Sequence, residues 1–352
     1  VDRAIGILRS DGSGYTAQFD KPSLVATLVN SVPRVNSADL DPLLIAVIGP
    51  TGSGKSALAI ALADSLNGEI VSCDSVAVYR ELEIGTAKPS SEQRARVQHH
   101  IIDIAAPTDL YAAGDYSRDA RVAIADIHTR GKMPIIAGGT GLYLRALLDG
   151  LFAGPQRNDA IRDQLQAIAL SDGPVALHRR LIDLDPITAG KTHPNDTPKI
   201  IRALEVCLAT EKPISEIWQQ GRNRLTGWQV QRIGLDPPRE LLKQRINERA
   251  AAMFEAGLID ETQGLIARYG EHCRSLTSLG YAQSVAVLRG ELSKEEAVIL
   301  TQDGHRQYAK RQRTWFRREK DVHWLQGFGE QEGTISCALE IAKTTQAGIK
   351  ST

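Results

Sequence analysis

Leu43-Leu44-Ile45-Ala46-Val47-Ile48 runs straight into Gly49-Pro50-Thr51-Gly52-Ser53-Gly54-Lys55-Ser56, and an Ala/Leu-rich stretch follows to Leu66. The first six residues are short, β-rich, apolar on both faces and followed at once by glycine, as in a buried parallel strand. The next eight match G-x-x-x-x-G-K-[ST], placed where a strand hands over to a helix. In that position backbone N–H groups wrap a phosphate and the helix N-terminus adds its positive end. Lys55 reaches the outer oxygens and Ser56 can ligate Mg²⁺. A chance match in a Gly-rich turn is the competing reading, and the two correct flanking elements argue against it. Asn67-Gly68 closes the helix as a left-handed cap.

Working outward, 69–73 and 133–137 read as further strands, alternating with helices, which predicts an α/β fold with a parallel sheet and right-handed crossovers. Between 150 and 225 the pattern changes to helical segments at 159–170, 175–183 and 197–209, punctuated by Leu184-Asp185-Pro186 and His193-Pro194-Asn195-Asp196. This reads as a helical insertion. A strand at 230–235 returns the chain to the core. Helices follow at 238–256, stopped by Gly257, then at 259–269, at 294–300 and from 301 to 318. The organisation expected is a mobile extension over 1–40, a core of 41–149 with 226–330, an insertion of 150–225 and a tail of 331–352.

Ligands of α/β sheets bind in the crevice at the carboxyl ends of the strands. Asp74 ends the strand Ile70-Val71-Ser72-Cys73, and Gly138-Gly139-Thr140-Gly141 ends the strand at 133–137, so Asp74 and Thr140 are expected to face the phosphate loop. The alternative for Asp74 is a helix N-cap. A phosphate loop indicates only a bound di- or triphosphate. The aspartate that commonly holds Mg²⁺ in nucleotide hydrolases is missing from the strand at 133–137, so ATP does not follow from the loop.

The 352 residues contain 42 Lys and Arg against 42 Asp and Glu, which excludes a uniformly basic nucleic-acid coat and an acidic tail protein. The neutral total hides an asymmetry. Between 301 and 320, Arg306, Lys310, Arg311, Arg313, Arg317, Arg318 and Lys320 face only Asp303 and Glu319, a local net charge of +5. Arg306, Lys310, Arg313 and Arg317 share one helical face, a stripe suited to a phosphate backbone, with a solvated face as the bland reading. No apolar run approaches the ~18 to 20 residues that span a bilayer. Cys73, Cys207, Cys273 and Cys337 are too dispersed for a paired zinc site or a disulfide framework, so a reducing cytosol is the expected compartment.

These residues resemble the tRNA dimethylallyltransferase family over about 43–325. The resemblance rests on Gly49 to Ser56, Asp74-Ser75, Ile84-Gly85-Thr86-Ala87-Lys88-Pro89, Gly138 to Tyr143, His193 to Asp196, Arg202-Ala203-Leu204-Glu205, and Arg306-Gln307-Tyr308-Ala309-Lys310-Arg311-Gln312 before Thr314-Trp315, all in the family's order. It implies a P-loop NTPase-like parallel sheet core with a helical insertion and a helical C-terminal region. It also implies a cytoplasmic monomer that moves a dimethylallyl group from its diphosphate to N6 of adenosine 37 in tRNAs reading codons that start with U, using Mg²⁺. The phosphate loop then grips the prenyl donor's diphosphate, which accounts for the missing aspartate. Lys55 would stabilise the departing charge, Asp74 would act as base, Thr140 would contact the acceptor nucleotide and Arg249 the diphosphate. A surface ladder with Arg245 is the bland reading of Arg249.

The resemblance further implies tRNA contacts at Asp74, Ser75, Val76 and Ala77, at Thr140, at Arg162, at Pro198, Lys199, Ile200, Ile201 and Arg202, and at Thr277, Gly280 and Tyr281. Arg306, Lys310 and Arg313 add the basic stripe. The loop Thr277 to Ala282 departs from the family pattern, which has basic residues near the positions of Thr277 and Ala282. No C-terminal Cys/His zinc module is present, pointing to the bacterial form. Two competing activities share the phosphate loop: a nucleoside or nucleotide kinase, and a prenyltransferase of free adenine nucleotides. The Gly138-Gly139-Thr140 block and the basic helix argue against the kinase, and the insertion with that helix argues for tRNA over a free nucleotide.

Overall fold

The structure, a computed structural model, describes residues 41–351 apart from 153, 156 and 220, so the expected extension over 1–40 lies outside the described residues. The chain order is β1 (Leu43–Ile48), α1 (Lys55–Leu66), β2 (Gly68–Cys73), α2 (Ser91–Arg96), β3 (His99–His100), α3 (Ala113–Thr129), β4 (Met133–Gly138) and α4 (Gly141–Leu148). Then come α5 (Asp159–Ser171), α6 (Pro174–Leu184), α7 (Pro186–Gly190), α8 (Thr197–Thr210) and α9 (Ile214–Gln219). The rest is β5 (Gln229–Leu235), α10 (Arg239–Glu255), α11 (Leu258–Tyr269), a 3₁₀ turn (Arg274–Thr277), α12 (Tyr281–Leu288), α13 (Lys294–Phe316), β6 (Val322–Leu325) and α14 (Glu332–Ser351).

The six strands form one parallel sheet in the order β3-β2-β4-β1-β5-β6, which puts the strand that feeds the phosphate loop between β4 and β5. Every residue of β1 is buried. Because side chains alternate along a strand, its apolar run divides between two layers. Leu44, Ala46 and Ile48 pack with Tyr116, Ala120 and Ile124 of α3 and Tyr143, Leu144 and Leu147 of α4. Leu43, Ile45 and Val47 pack on the other face with Leu58, Leu62 and Ala63 of α1 and with Ala338 and Ala342 of α14. Each fully buried Leu or Ile contributes about 1.5–3 kcal/mol, so β1 is anchored from both sides.

The C-terminal segment differs from expectation. The stretch set apart as a tail, 331–352, contains α14, whose Ala338 and Ala342 complete the second layer. The helices expected at 294–300 and 301–318 are one helix, α13, started by a reciprocal Ser293/Glu296 capping box and uninterrupted to Phe316. Strands β3 and β6 and helices α2, α3, α4, α7, α9 and α12 are additions to the elements read from periodicity; β3 and β6 are too short to carry a clear period. Helices α5 to α9 form a hydrophobic core of their own around Leu165, Leu177, Leu181, Ile200, Leu204 and Ile217. All four cysteines are free, and among the described residues no helix is long and apolar enough to cross a membrane.

Candidate active site

Strand register assembles the site. Ile48 pairs with Gly138, and Gly138 pairs with Cys73, so the residues one step beyond each strand end, Gly49, Gly139 and Asp74, come side by side. The phosphate loop then turns into α1, whose first turn has no side-chain cap and no acidic residue. Its N–H groups and positive dipole end are left for an anion. Gly54 makes the turn at φ +86°, and a Cβ there would come within 2.6 Å of Gly329 N, so the tail segment before α14 closes against the back of the loop. Gly329 N donates to Ser53 O at 3.0 Å.

Two chambers of about 300 Å³ each open from this point. Both include Thr51, Asp74, Thr86 and Arg249 in their walls, so these four residues form the partition between them.

The first chamber contains Gly52, Gly54, Lys55 and Ser56 of the phosphate loop and helix start, with Arg245 and Arg249 from α10. Apolar groups, Ala57, Ile70, Ala77, Ala87, Ile102 and Ala137, share the remainder with the polar side chains of Ser72, Lys88, Gln93 and His99. Lys55 Nζ donates to Pro50 O at 2.7 Å. Burial pushes Lys55 down to about 8, against an opposing pull from Asp74 and with a further push from Arg249. Arg249 Nη1 makes a long 3.5 Å contact with Thr51 Oγ1 while its Nε is buried without a partner among the described residues, and burial again lowers its pKa. Arg249 therefore faces both chambers and is not a rung of a surface ladder with Arg245. Buried cations only partly balanced, here by Asp74, stabilise a bound polyanion. Arg245, which sequence reasoning left on the surface, pairs with Glu330 and lies 4.8 Å above the Phe328 ring.

Asp74 has two tasks. Its Oδ1 accepts from Val76 N at 2.8 Å and Ala77 N at 3.2 Å, which closes a turn and not the helix named in its alternative, since no helix starts there, and the carboxylate borders both chambers. Ser56 is exposed on the first chamber and makes no side-chain hydrogen bond with the described residues. Its hydroxyl suits Mg²⁺, which keeps several waters and takes its other ligands from phosphates. Among the described residues no cluster of three or more His, Cys, Asp or Glu forms an all-protein metal cage.

The second chamber is built from four distant segments: Ser75 and Val76, Gly85 and Thr86, Thr277 to Leu279, and His305, Tyr308 and Arg311 of α13. Burial, with Arg249 adding to it, pushes His305 down to about 4, and burial pushes Tyr308 up to about 12, so both are neutral near pH 7. Thr86 is held at the partition by an anchor that sequence reasoning missed. Glu261 accepts from Ile84 N and, at 2.6 Å, from Tyr281 OH, and Gly85 N donates to the same hydroxyl at 3.2 Å.

Several expected contact residues have other duties. Thr140 does not line either chamber; its Oγ1 accepts from Ser75 N at 3.1 Å and lies beside Tyr308, so it braces the chamber wall from behind. Ile200 and Ile201 are buried in the insertion core. Arg162 and Arg202 both bind the fully buried Glu205, at 2.9 and 2.8 Å. Burial alone would raise the Glu205 pKa; the two guanidiniums and Asn158 N hold it down at about 2. Tyr281 is fully buried and Gly280 is buried, whereas Pro198, Lys199 and Thr277 are exposed.

The basic stripe also divides. Arg306 pairs with Asp303, and Arg313 with Asp236 at 2.5 Å. Lys310 and Arg311 are exposed near the end of α13, and Arg317, Arg318 and Lys320 are exposed in the turn after it; of these Arg317 also reaches Asp236, at 3.3 Å. Of the stripe read by periodicity, Lys310 and Arg317 are exposed while Arg306 and Arg313 are paired, and Arg311 and Arg318 join the exposed set. Arg311 stands on the second chamber, next to the loop lacking its expected basic residues.

A family model described as IPP transferase matches residues 77–319, and one described as Isopentenyl transferase matches residues 42–109. The chain belongs to the IPP transferase family. One relative in it, a tRNA dimethylallyltransferase of Koribacter versatilis (strain Ellin345), is 57% identical over 305 residues, covering 87% of this chain and 99% of the relative. Another of the same description, from Solibacter usitatus (strain Ellin6076), is 51% identical over 84% of this chain and 97% of its own length. Among solved structures, the full-length tRNA isopentenylpyrophosphate transferase of Bacillus halodurans aligns with a TM-score of 0.64 at 36% identity, over 88% of this chain and 97% of that one. A eukaryotic dimethylallyltransferase acting on tRNA aligns with a TM-score of 0.73 at 29% identity, over 86% and 79% respectively. The P-loop NTPase-like sheet of this IPP transferase therefore agrees with the fold class read from its strand and motif order.

Proposed function

We propose that this protein transfers a dimethylallyl group from dimethylallyl diphosphate to N6 of adenosine 37 in tRNAs that read codons starting with U, releasing diphosphate. The observation that carries the reading is the pair of chambers meeting at Asp74. One is cationic and backed by a phosphate loop, with apolar patches at Ala57, Ile70, Ala87 and Ala137 that suit a short prenyl chain; the other combines neutral Thr277, His305 and Tyr308 with the cationic Arg311, beside the exposed Lys310. Relatives that are described as tRNA dimethylallyltransferases align over nearly their whole length.

In the reaction the allylic C1–O bond breaks and its electron pair leaves with the diphosphate. Lys55, Arg249 and the N–H groups at the start of α1 stabilise that charge. The N6 lone pair forms the new C–N bond, and the proton lost from N6 goes to Asp74, whose Oδ1 is fixed by Val76 and Ala77. Ser56 would hold Mg²⁺, which when bound would supply further charge neutralisation for the departing diphosphate. Tyr308, His305 and Arg311 receive the acceptor base, which has to leave its stack to reach Asp74. The exposed Lys199, Lys310, Arg317 and Arg318 take phosphates of the stem-loop. The proposed enzyme works as a monomer in the cytoplasm.

The test is nucleoside mass spectrometry of tRNA incubated with the protein, Mg²⁺ and dimethylallyl diphosphate. A prenylated adenosine at position 37 is expected. Its absence, or phosphoryl transfer from labelled ATP to a nucleoside in a parallel incubation, would overturn the reading.

A further inference from the structure

One buried side chain joins the two sides of the site. Gln312, on α13 and 5% exposed, accepts a hydrogen bond from Thr51 N at 2.7 Å through Oε1 and donates through Nε2 to Gly139 O at 2.9 Å. The first partner belongs to the phosphate loop, and the second to the turn that follows β4 and leads to Thr140. The approach is close enough that a Cβ on residue 139 would lie 2.2 Å from Gln312 Nε2. One turn earlier on the same helix, Tyr308 lies against both Thr140 and Gln312 and faces the second chamber.

We infer that Gln312 is a positioning residue for the diphosphate, holding the Thr51 amide and the Gly139 turn at a fixed separation so that the phosphate loop keeps its anion-binding shape. This rests on the diphosphate reading of the first chamber and deepens it. An amide is suited to the task because it presents one acceptor and one donor side by side. Thr51 itself borders both chambers and touches Arg249, so displacement of its backbone moves the loop and the partition together. The same helix carries the outward basic face. Donor geometry is thereby tied to the element nearest the acceptor.

The chemistry of the amide supplies a test that a general packing role would not pass. A carboxylate in its place can accept from Thr51 N but repels Gly139 O; once protonated, it recovers the amide's donor and acceptor pattern. Binding of inorganic pyrophosphate with Mg²⁺ would be measured calorimetrically for the full chain, for Gln312→Leu and for Gln312→Glu across pH 5 to 8 (an assay range of roughly three units around the pKa of a perturbed carboxyl). Relative to the parent at each pH, Gln312→Leu should bind about tenfold more weakly throughout, the effect of losing buried hydrogen bonds. Gln312→Glu should bind weakly at pH 8 and return towards the parent as pH falls. Gly139→Ala should weaken binding by a similar factor. Parent binding matched by Gln312→Leu, or a Gln312→Glu deficit that does not change with pH, overturns the positioning role alone. No binding by the parent overturns the diphosphate reading itself and this inference with it. Should Gln312→Leu fail to fold, the pH series on Gln312→Glu decides.

Discussion

The two chambers are built in opposite ways. The first takes its anion-binding core from consecutive residues, Gly52 to Ser56, and grips through backbone N–H groups and a helix end. The second takes single side chains from segments more than 200 positions apart, Ser75 to Arg311, and nothing local holds them together. Their meeting at Asp74, Thr86 and Arg249 teaches that one chamber is specified by chain continuity and the other by the docking of α10, α11 and α13. The first should therefore fail through loss of charge, and the second through loss of placement.

The largest effect that can test this contrast is at the partition. Asp74→Asn keeps an oxygen to accept from Val76 N and Ala77 N but cannot take a proton, so turnover should fall about 10²- to 10⁴-fold with little change in tRNA affinity. Unchanged single-turnover rates would remove Asp74 from the base role. Next, Lys55→Met should cost about 10²- to 10³-fold in kcat, since a charge on the departing diphosphate goes uncompensated. An equal loss in tRNA binding by the same variant would break the separation of the two chambers.

Protonation gives a smaller, graded effect. Lys55 is held down to about 8 by burial, so the empty first chamber loses positive charge as pH rises through that value. Bound diphosphate favours the charged amine and is taken up with a proton. Pyrophosphate affinity should therefore weaken by up to about tenfold per pH unit above 8, and Lys55→Met should abolish that dependence. Calorimetry in buffers of different ionisation enthalpy measures the proton uptake directly.

The smallest effects concern the exposed cations at the end of α13 and in the turn after it. Neutralising exposed Lys310 or Arg318 should make the log–log salt slope of tRNA binding shallower by about 0.7 to 0.9 for each phosphate that is no longer neutralised. Neutralising Arg313, which is committed to Asp236 and only 16% exposed in its side chain, should change thermal stability and leave that slope nearly unaltered. The reverse result would show that the Asp236 pair opens on tRNA and that the face read from periodicity is the working one.

How far the site could be read in advance follows the same division. The phosphate loop, its strand and its helix are legible because each is a local pattern, and Asp74 is legible because ligands sit beyond strand ends. Gln312 falls within a stretch whose resemblance is evident, yet its duty is invisible in one dimension: its partners, Thr51 and Gly139, are 261 and 173 residues away. Periodicity could say that Arg306, Lys310, Arg313 and Arg317 share a side of a helix. It could not say that Asp303 and Asp236 occupy Arg306 and Arg313, nor which side faces water. The segment 331–352 reads as a tail for a related reason: α14 is marginal alone and is held by Ala338 and Ala342 against the sheet.

By itself, then, the sequence determined what depends on neighbours along the chain: the buried parallel strand, the anion-binding turn, the helix that follows, and the carboxylate at a strand end. Tertiary structure alone decided what depends on neighbours in space: which cations are free and which are paired, that Thr140 braces a wall instead of lining it, and that Gln312 ties the phosphate loop to the opposite turn. The physical reason is range. Backbone dihedral preference and side-chain periodicity act over a few residues, whereas hydrogen bonding, burial and charge pairing act over a few ångströms whatever the separation along the chain.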